Sequence, residues 1–169
     1  TLDAEEFIRT VEILAPTFGG ITLEDVRAPE CFEIEARLTR SLDIPVFHDD
    51  QHGTAIVVAT AIYNALRGGK KDIDEVRLVT SGAGAAAQAC LHQLISLGLP
   101  KENIIVTDRT GTIFKGRTEK MDRYKEYFAV ETDTRTLQEA LVGADVFLGL
   151  SAPGTLNAEM VQSMTDRPI

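Results

Sequence analysis

Two pairs of adjacent carboxylates are the residues of this sequence with the clearest potential for chemistry. Glu24 and Asp25 follow one short apolar segment, and Asp49 and Asp50 follow another. After the second pair we expect a tight turn, and Gly53 and Thr54 then open an apolar helical run. That pair is therefore predicted to lie between a strand and a helix amino terminus, where negative charge is favoured. For either pair alone, the simpler interpretation is a capped turn whose carboxylates accept backbone hydrogen bonds.

The order of the surrounding segments predicts that the two pairs lie together. The sequence reads as strand, acidic pair, helix, strand, acidic pair and helix, which is typical of a βαβα unit with parallel strands. Such strands end at the same edge of a sheet, so the carboxylates would repel one another unless a cation neutralised them. Oxygen ligands in that number suit Mg²⁺ or Mn²⁺ better than zinc. We favour them as ligands over the flanking His48 and His52, which have no Cys or further His at a fitting spacing.

A glycine-rich motif in the second half of the chain predicts a dinucleotide site. The apolar segment 76–79 is followed closely by Ser81-Gly-Ala-Gly-Ala-Ala-Ala87, and a helical run comes next. In this pattern the first glycine makes the turn, and the second lets the backbone approach a pyrophosphate. The third small residue packs the helix on the strand. The residues predicted to bind the cofactor through this motif are Gly82, Ala83, Gly84, Ala85, Ala86 and Ala87.

Residues that follow the next strands extend this predicted site. Asp108 follows the segment 103–107 and stands 24 residues after Gly84, near the ~20 expected for an acid that binds the ribose hydroxyls of NAD. Arg109 could instead meet the 2′-phosphate of NADP, so the choice between the two cofactors stays open. Ser151 opens a turn after the strand segment 146–150 and is predicted to lie on the cofactor side of the sheet.

These motifs require an α/β fold. We expect a βαβα metal-site segment, residues 1–68, followed by a Rossmann-type doubly wound parallel sheet, residues 69–169. Apolar periodicity and end signals predict helices near residues 3–14, 30–42, 55–66, 85–97 and 137–142, and Asn157 is predicted to cap a further helix.

Composition excludes several classes of partner. The net charge of −9 and isoelectric point near 4.8 leave no basic stripe for nucleic acid. No apolar run approaches the ~20 residues of a membrane span, so we expect no membrane partner. Cys31 and Cys90 are isolated, which is typical of small buried side chains in a reducing compartment, and we expect a cytoplasmic protein. The chain has no initiator Met and stops abruptly, so we expect a piece of a longer protein.

Five parts of the sequence together resemble malic enzymes of the bacterial type, and the resemblance extends through nearly the whole chain. They are Phe18-Gly-Gly-Ile with Leu23-Glu-Asp-Val26, Val46-Phe-His-Asp-Asp-Gln-His-Gly-Thr-Ala55, Ser81-Gly-Ala-Gly-Ala-Ala86, Ala144-Asp-Val-Phe147 and Ser151-Ala-Pro-Gly154. The resemblance implies that Glu24, Asp25 and Asp50 hold the divalent metal. It implies that Asp49 pairs with a catalytic lysine and that the glycine motif binds NAD or NADP.

The resemblance also implies domains and an activity. Residues 1–68 would be the C-terminal part of a substrate- and metal-binding domain, and residues 69–169 a C-terminally truncated NAD(P)-binding domain. The activity would be metal-dependent oxidative decarboxylation of malate, through oxaloacetate, to pyruvate and CO₂ by a homo-oligomer, expected to be a dimer. The family's catalytic tyrosine and lysine match no motif here and are expected upstream of Thr1. We therefore expect this chain alone not to oxidise malate.

Two alternatives stay open from the sequence. One is an oxidoreductase similar to amino-acid dehydrogenases, which uses no metal and in which the acidic pairs are caps and ion-pair partners. The other is a non-catalytic dinucleotide-binding or assembly module. Dependence of activity on a divalent metal separates the first alternative from the malic enzyme hypothesis.

Overall fold

The computed structural model describes residues 3–169, and residues 1 and 2 of the predicted first segment lie outside it. Its first part is the predicted βαβα unit with one helix before it. The elements are α1 (Ala4–Leu14), β1 (Ile21–Leu23), α2 (Glu30–Ser41), β2 (Val46–His48) and α3 (Thr54–Gly69). Strands β1 and β2 pair in parallel, with Leu23 opposite His48. Both acidic pairs therefore follow strands that end at the same edge.

The second part is a four-stranded sheet with helices on both faces. Its elements are β3 (Leu78–Ser81), α4 (Ala85–Ser96), β4 (Ile104–Asp108), β5 (Gly111–Thr112), α5 (Arg123–Tyr127), α6 (Leu137–Leu141), β6 (Val146–Gly149) and α7 (Ala158–Ser163). The strand order is β5-β4-β3-β6, and β3 is parallel to both β4 and β6. The predicted α/β class with a Rossmann-type sheet is confirmed. The two-residue β5, antiparallel to β4, was not predicted.

The position of β3 in this order determines where a ligand can bind. The chain leaves β3 through α4 and reaches β4 on one side, and it later returns to β6 on the other side. The connections that follow β3 and β6 therefore diverge. Open α/β sheets bind ligands in the crevice at such a point, beyond the carboxyl ends of the strands.

Apolar side chains bury both faces of this sheet. On one face, helices α3 and α4 pack over Leu78 and Ile104, and on the other face α6 covers Val79. Strands buried on both faces need no alternation of apolar and polar residues, which explains the short continuous apolar segments of the sequence. Helix α3 was predicted within the first segment, but Ile62 and Leu66 bury their side chains in the core of the second part. None of the helices formed by residues 3–169 combines the length and apolarity that a membrane span requires.

Candidate functional site

The glycine loop lies at the switch point between β3 and β6. Gly82 has a φ of +122°, and a Cβ added there would stand 2.6 Å from the carbonyl oxygen of Leu150, so only glycine fits. Gly84 differs, because nothing lies within 4 Å of its Cβ position. Gly82 therefore shapes the loop, whereas Gly84 leaves space for a ligand.

Helix α4 begins directly after Gly84 with three alanines. Ala87 is buried, whereas Ala85 and Ala86 are partly exposed. The first N–H groups of a helix have no partner within the helix, and small side chains leave them accessible. An accessible helix amino terminus of this kind binds phosphate groups through its N–H groups and its dipole.

A cavity of about 550 Å³, here called the central cleft, opens in front of the glycine loop. The second part of the fold lines it with the glycine loop, Asp108, Arg109 and Ser151. The first part lines it with Pro29 and Phe32, at the start of α2. The central cleft therefore lies between the two parts of the fold.

Two serine hydroxyls connect the strand ends at this cleft. Oγ of Ser81, at the end of β3, lies 2.7 Å from Oγ of Ser151, which follows β6. Close by, the N–H of Leu150 donates to the carbonyl oxygen of Ser81 at 2.8 Å. These bonds fix Ser151 beside the glycine loop, where the sequence analysis predicted it.

The carboxylate of Asp108 is occupied by side chains of its own chain. Its Oδ1 accepts hydrogen bonds from the backbone N–H and the hydroxyl of Thr110, at 2.9 and 2.7 Å. Arg117 donates to both carboxylate oxygens at 2.8 Å, and Lys125 donates to Oδ2 at 2.9 Å. Burial alone would raise the pKa of Asp108, but these hydrogen bonds outweigh burial and hold that pKa well below its usual value.

The end of the central cleft at Asp108 is rich in cations. Arg109, Lys120 and Lys125 all line it beside Asp108, and the acidic Asp122 lines it too. Asp108 and Arg109 were predicted from the sequence, whereas Lys120 and Lys125 were not. The basic residues after β4 are visible in the sequence. They show no helical or strand periodicity, so the sequence does not predict which of their side chains face the cleft.

The two acidic pairs meet through one hydrogen bond. The backbone N–H of Asp25 donates to Oδ2 of Asp50 at 2.8 Å. Asp25 has a φ of +56°, in the left-handed region that non-glycine residues occupy at some cost, and this conformation accompanies the bond. Glu24, Asp25 and Asp49 are exposed, and Asp50 is half-buried.

The acidic side chains do not form a closed metal cluster. Across residues 3–169, no three His, Cys, Asp or Glu side chains are arranged to hold a metal ion. The backbone nevertheless brings the three predicted ligands, Glu24, Asp25 and Asp50, to one sheet edge. Their oxygens are the donors that Mg²⁺ and Mn²⁺ prefer, so the donor set fits such a cation.

The second acidic pair lies in a five-residue π-helix, Asp49–Gly53, where a tight turn was predicted. The N–H of Thr54 donates to the carbonyl oxygen of Asp49, which closes the wide turn. Such wide turns occur often at functional sites. A Cβ added to Gly53 would collide with Oδ1 of Asp49, so the absence of a side chain at Gly53 leaves room for that carboxylate.

The π-helix also connects the acidic residues to the rest of the site. Its Gln51 and His52 both donate to the carboxylate of Glu35 on α2, at 3.0 and 2.6 Å. His52 is thereby held by an acid outside the two pairs. The π-helix packs against α4, whose amino terminus carries the glycine loop. The acidic residues and the glycine loop are thus supported by the same helix.

Comparisons with known proteins agree on one family. Residues 51–169 match the family described as "Malic enzyme, NAD binding domain". An NADP-dependent malic enzyme of Rhizobium meliloti is 56% identical over 169 residues, and an NAD-dependent malic enzyme of the same organism is 53% identical over 171. These alignments cover 100% and 99% of this chain, but the chain spans 22% of the length of each relative.

Solved structures give the same result for the fold. The NAD-dependent malic enzyme of Thermotoga maritima superposes with a TM-score of 0.92 at 40% sequence identity. The superposition covers 98% of this chain and 45% of that one. The similar relatives include both NAD- and NADP-dependent proteins, so similarity alone does not choose between the cofactors.

Proposed function

Because this chain belongs to the malic enzyme family, we propose that the whole protein oxidises malate with NAD(P)⁺ and decarboxylates the product to pyruvate and CO₂, using Mg²⁺ or Mn²⁺. The observation that carries this proposal is that one helix, α4, positions both the candidate dinucleotide site and the candidate metal site. An open glycine loop and an acidic π-helix both rest on α4. A hydride acceptor and a divalent cation bound there would lie near one substrate.

The chain's own residues would bind the dinucleotide as follows. The pyrophosphate would lie over Gly84 and accept hydrogen bonds from the first N–H groups of α4. Gly82 would keep the loop in the shape that this approach needs. Ser151, fixed by Ser81, would offer a hydroxyl beside the cofactor. Phe32 and Pro29 would close the far side of the cleft and exclude water from it.

The metal would be held by Glu24, Asp25 and Asp50. The N–H of Asp25 already holds one oxygen of Asp50, and that bond directs the carboxylate before any cation arrives. When bound, the cation would act as a Lewis acid that stabilises the negative charge formed as CO₂ leaves. Asp49 would pair with the catalytic lysine that the family resemblance implies.

We favour NADP over NAD as the hydride acceptor. A free carboxylate at the ribose end would bind the ribose hydroxyls and repel a 2′-phosphate. Both oxygens of Asp108 are instead engaged by Arg117 and Lys125, and Arg109 and Lys120 line the same end of the cleft. The local charge therefore favours a 2′-phosphate.

This cofactor choice predicts an effect of removing one cation. Lys125→Gln should raise KM for NADP about 10-fold and leave KM for NAD within about 2-fold, because a hydrogen bond to a charged group contributes about 1.5–3 kcal/mol. Steady-state kinetics with each cofactor measure this. Lys115→Gln removes the same charge from an exposed pair with Glu131, outside the cleft, and should change neither KM. Equal losses for NAD and NADP in Lys125→Gln would contradict the choice.

The function itself is tested on the whole protein. Purified protein with malate, Mn²⁺ and NADP or NAD should form reduced cofactor and pyruvate in equal amounts, and EDTA should stop both. Turnover of an amino acid that survives EDTA would favour the dehydrogenase alternative. Tight dinucleotide binding without turnover of malate would favour the non-catalytic module.

The glycine of the π-helix gives a test for Asp49. Gly53→Ala should lower kcat by about 10-fold or more, because the new methyl group displaces the Asp49 carboxylate and small misplacements at a reacting centre are costly. The fold should persist, since Gly53 already has helical φ and ψ angles. Gly68→Ala is the matched control, because it adds the same methyl group to α3 in open space. Unchanged kcat in Gly53→Ala would mean that the position of Asp49 does not matter.

A further inference from the structure

A buried histidine beside the second acidic pair has no hydrogen-bond partner. The side chain of His48 is 0% exposed, and within residues 3–169 neither of its ring nitrogens has a partner. Leaving a buried polar group unpaired costs about 1–3 kcal/mol. An imidazole kept in such a place therefore needs a physical reason.

One carboxylate stands just beyond hydrogen-bond reach of the His48 ring. His48 is the last residue of β2, opposite Leu23 on β1, and lies directly before the π-helix. Its Nδ1 stands 4.0 Å from Oδ2 of Asp50. A hydrogen bond between these atoms would need about 2.7–3.0 Å, so a movement of roughly 1 Å would form it.

The two residues differ in their freedom to make this movement. His48 is enclosed on every side, whereas the side chain of Asp50 is 45% exposed. The carboxylate of Asp50 is therefore the group that moves. Oδ2 of Asp50 already accepts the N–H of Asp25, and a carboxylate oxygen has lone pairs for a second donor.

We propose that His48 is a positioning residue for Asp50. Nδ1–H of His48 donates to Oδ2 when a divalent cation draws the acidic side chains together. Oδ2 is then held by two donors, His48 and the N–H of Asp25, and Oδ1 is turned toward the cation. This inference rests on the metal site of the proposed function. The histidine itself does not contact the metal, since its ring is fully buried whereas Glu24 and Asp25 are exposed.

The expected effect of losing His48 is on the metal and not on the fold. Residues that hydrogen-bond to metal-binding side chains typically change metal affinity by 10–100-fold when removed. His48→Leu should therefore weaken Mn²⁺ binding by about 10–100-fold. It should also raise or leave unchanged the melting temperature of the metal-free protein, because an apolar side chain of similar size removes an unpaired polar group.

Two amide variants identify the nitrogen that acts. The side-chain nitrogen of Asn can take the place of Nδ1, and that of Gln can take the place of Nε2. His48→Asn should restore Mn²⁺ affinity to within about 3-fold of the unsubstituted protein, whereas His48→Gln should bind as weakly as His48→Leu. If His48 only filled space, His48→Asn would not bind Mn²⁺ more tightly than His48→Gln.

Electron paramagnetic resonance of free Mn²⁺ in titrations of the whole protein measures these affinities. Asp50→Asn serves as the reference for a lost ligand. If the unsubstituted protein does not bind Mn²⁺, the proposed metal site and this inference both fail. If it binds Mn²⁺ and Asp50→Asn does not, but His48→Leu binds normally, only the positioning role is overturned. Equally weak binding by His48→Asn and His48→Leu also overturns it.

A measurement on the unsubstituted protein avoids any effect of substitution on folding. In crystals of the whole protein soaked with Mn²⁺, the distance from Nδ1 of His48 to Oδ2 of Asp50 should fall from 4.0 Å to about 2.8 Å. An occupied metal site with this distance unchanged would refute the role of His48.

Discussion

Gly84→Val is expected to abolish dinucleotide binding without changing the stability of the protein. Gly84 has ordinary extended φ and ψ angles, and no atom of the protein lies within 4 Å of its Cβ position, so valine should fit without strain. The space that valine fills is the one that the pyrophosphate needs. A steric conflict of about 1–3 kcal/mol together with lost hydrogen bonds to a charged group predicts a loss of at least about 100-fold.

Calorimetric titration of the whole protein with NADP, together with a melting curve, measures both parts of this result. Gly82→Val is the informative contrast, because Gly82 has a positive φ and its Cβ would press on Leu150. That variant should lose stability and binding together. If Gly84→Val bound NADP normally, the dinucleotide would not approach this loop. If it lost stability as Gly82→Val does, the loop would have a structural role only.

The contrast between these glycines illustrates what the sequence could predict. The strand, glycine loop and helix are consecutive, so their geometry follows from local conformation, and the structure has them where the motif predicted. The same holds for the βαβα unit, whose parallel pairing follows from the order of its elements. The wide π-turn was predicted as a tight turn, because one extra residue within a turn leaves no trace in apolar periodicity.

The environment of Asp108 shows the opposite case. Its position at the end of β4 could be predicted, but its ion pairs could not. Arg117 and Lys125 lie 9 and 17 residues further along the chain and return to Asp108 through tertiary folding. The general rule that an acid at this position favours NAD assumes a free carboxylate. Here neighbouring cations engage that carboxylate, so the same residue supports a different cofactor.

His48 is a further case in which sequence alone was insufficient. From the sequence, His48 was considered as a metal ligand and the carboxylates were preferred. Its complete burial and the 4.0 Å gap to Asp50 are properties of the packed structure. The positioning role of His48 toward Asp50 can be inferred only when its burial and this distance are both known.

Asp50→Asn is expected to remove most of the divalent metal affinity while the fold persists. Asparagine has the shape of aspartate but one oxygen and no charge. The N–H of Asp25, which now donates to Oδ2 of Asp50, would retain that single oxygen and turn the NH₂ group toward the cation. Because even indirect partners of a metal ligand contribute 10–100-fold, loss of a direct ligand should weaken Mn²⁺ binding by at least about 100-fold.

Two variants separate this effect from its alternatives. Asp43→Asn removes the same charge from an exposed position in the loop before β2 and should bind Mn²⁺ normally, which excludes a general effect of net charge. Asp49→Asn should bind Mn²⁺ nearly normally but lower kcat, because Asp49 is assigned to catalysis and not to the metal. Mn²⁺ titrations and malate turnover of the whole protein provide the two readings. Unchanged Mn²⁺ affinity in Asp50→Asn would remove Asp50 from the ligand set, and a greater loss in Asp49→Asn would exchange the roles of the two aspartates.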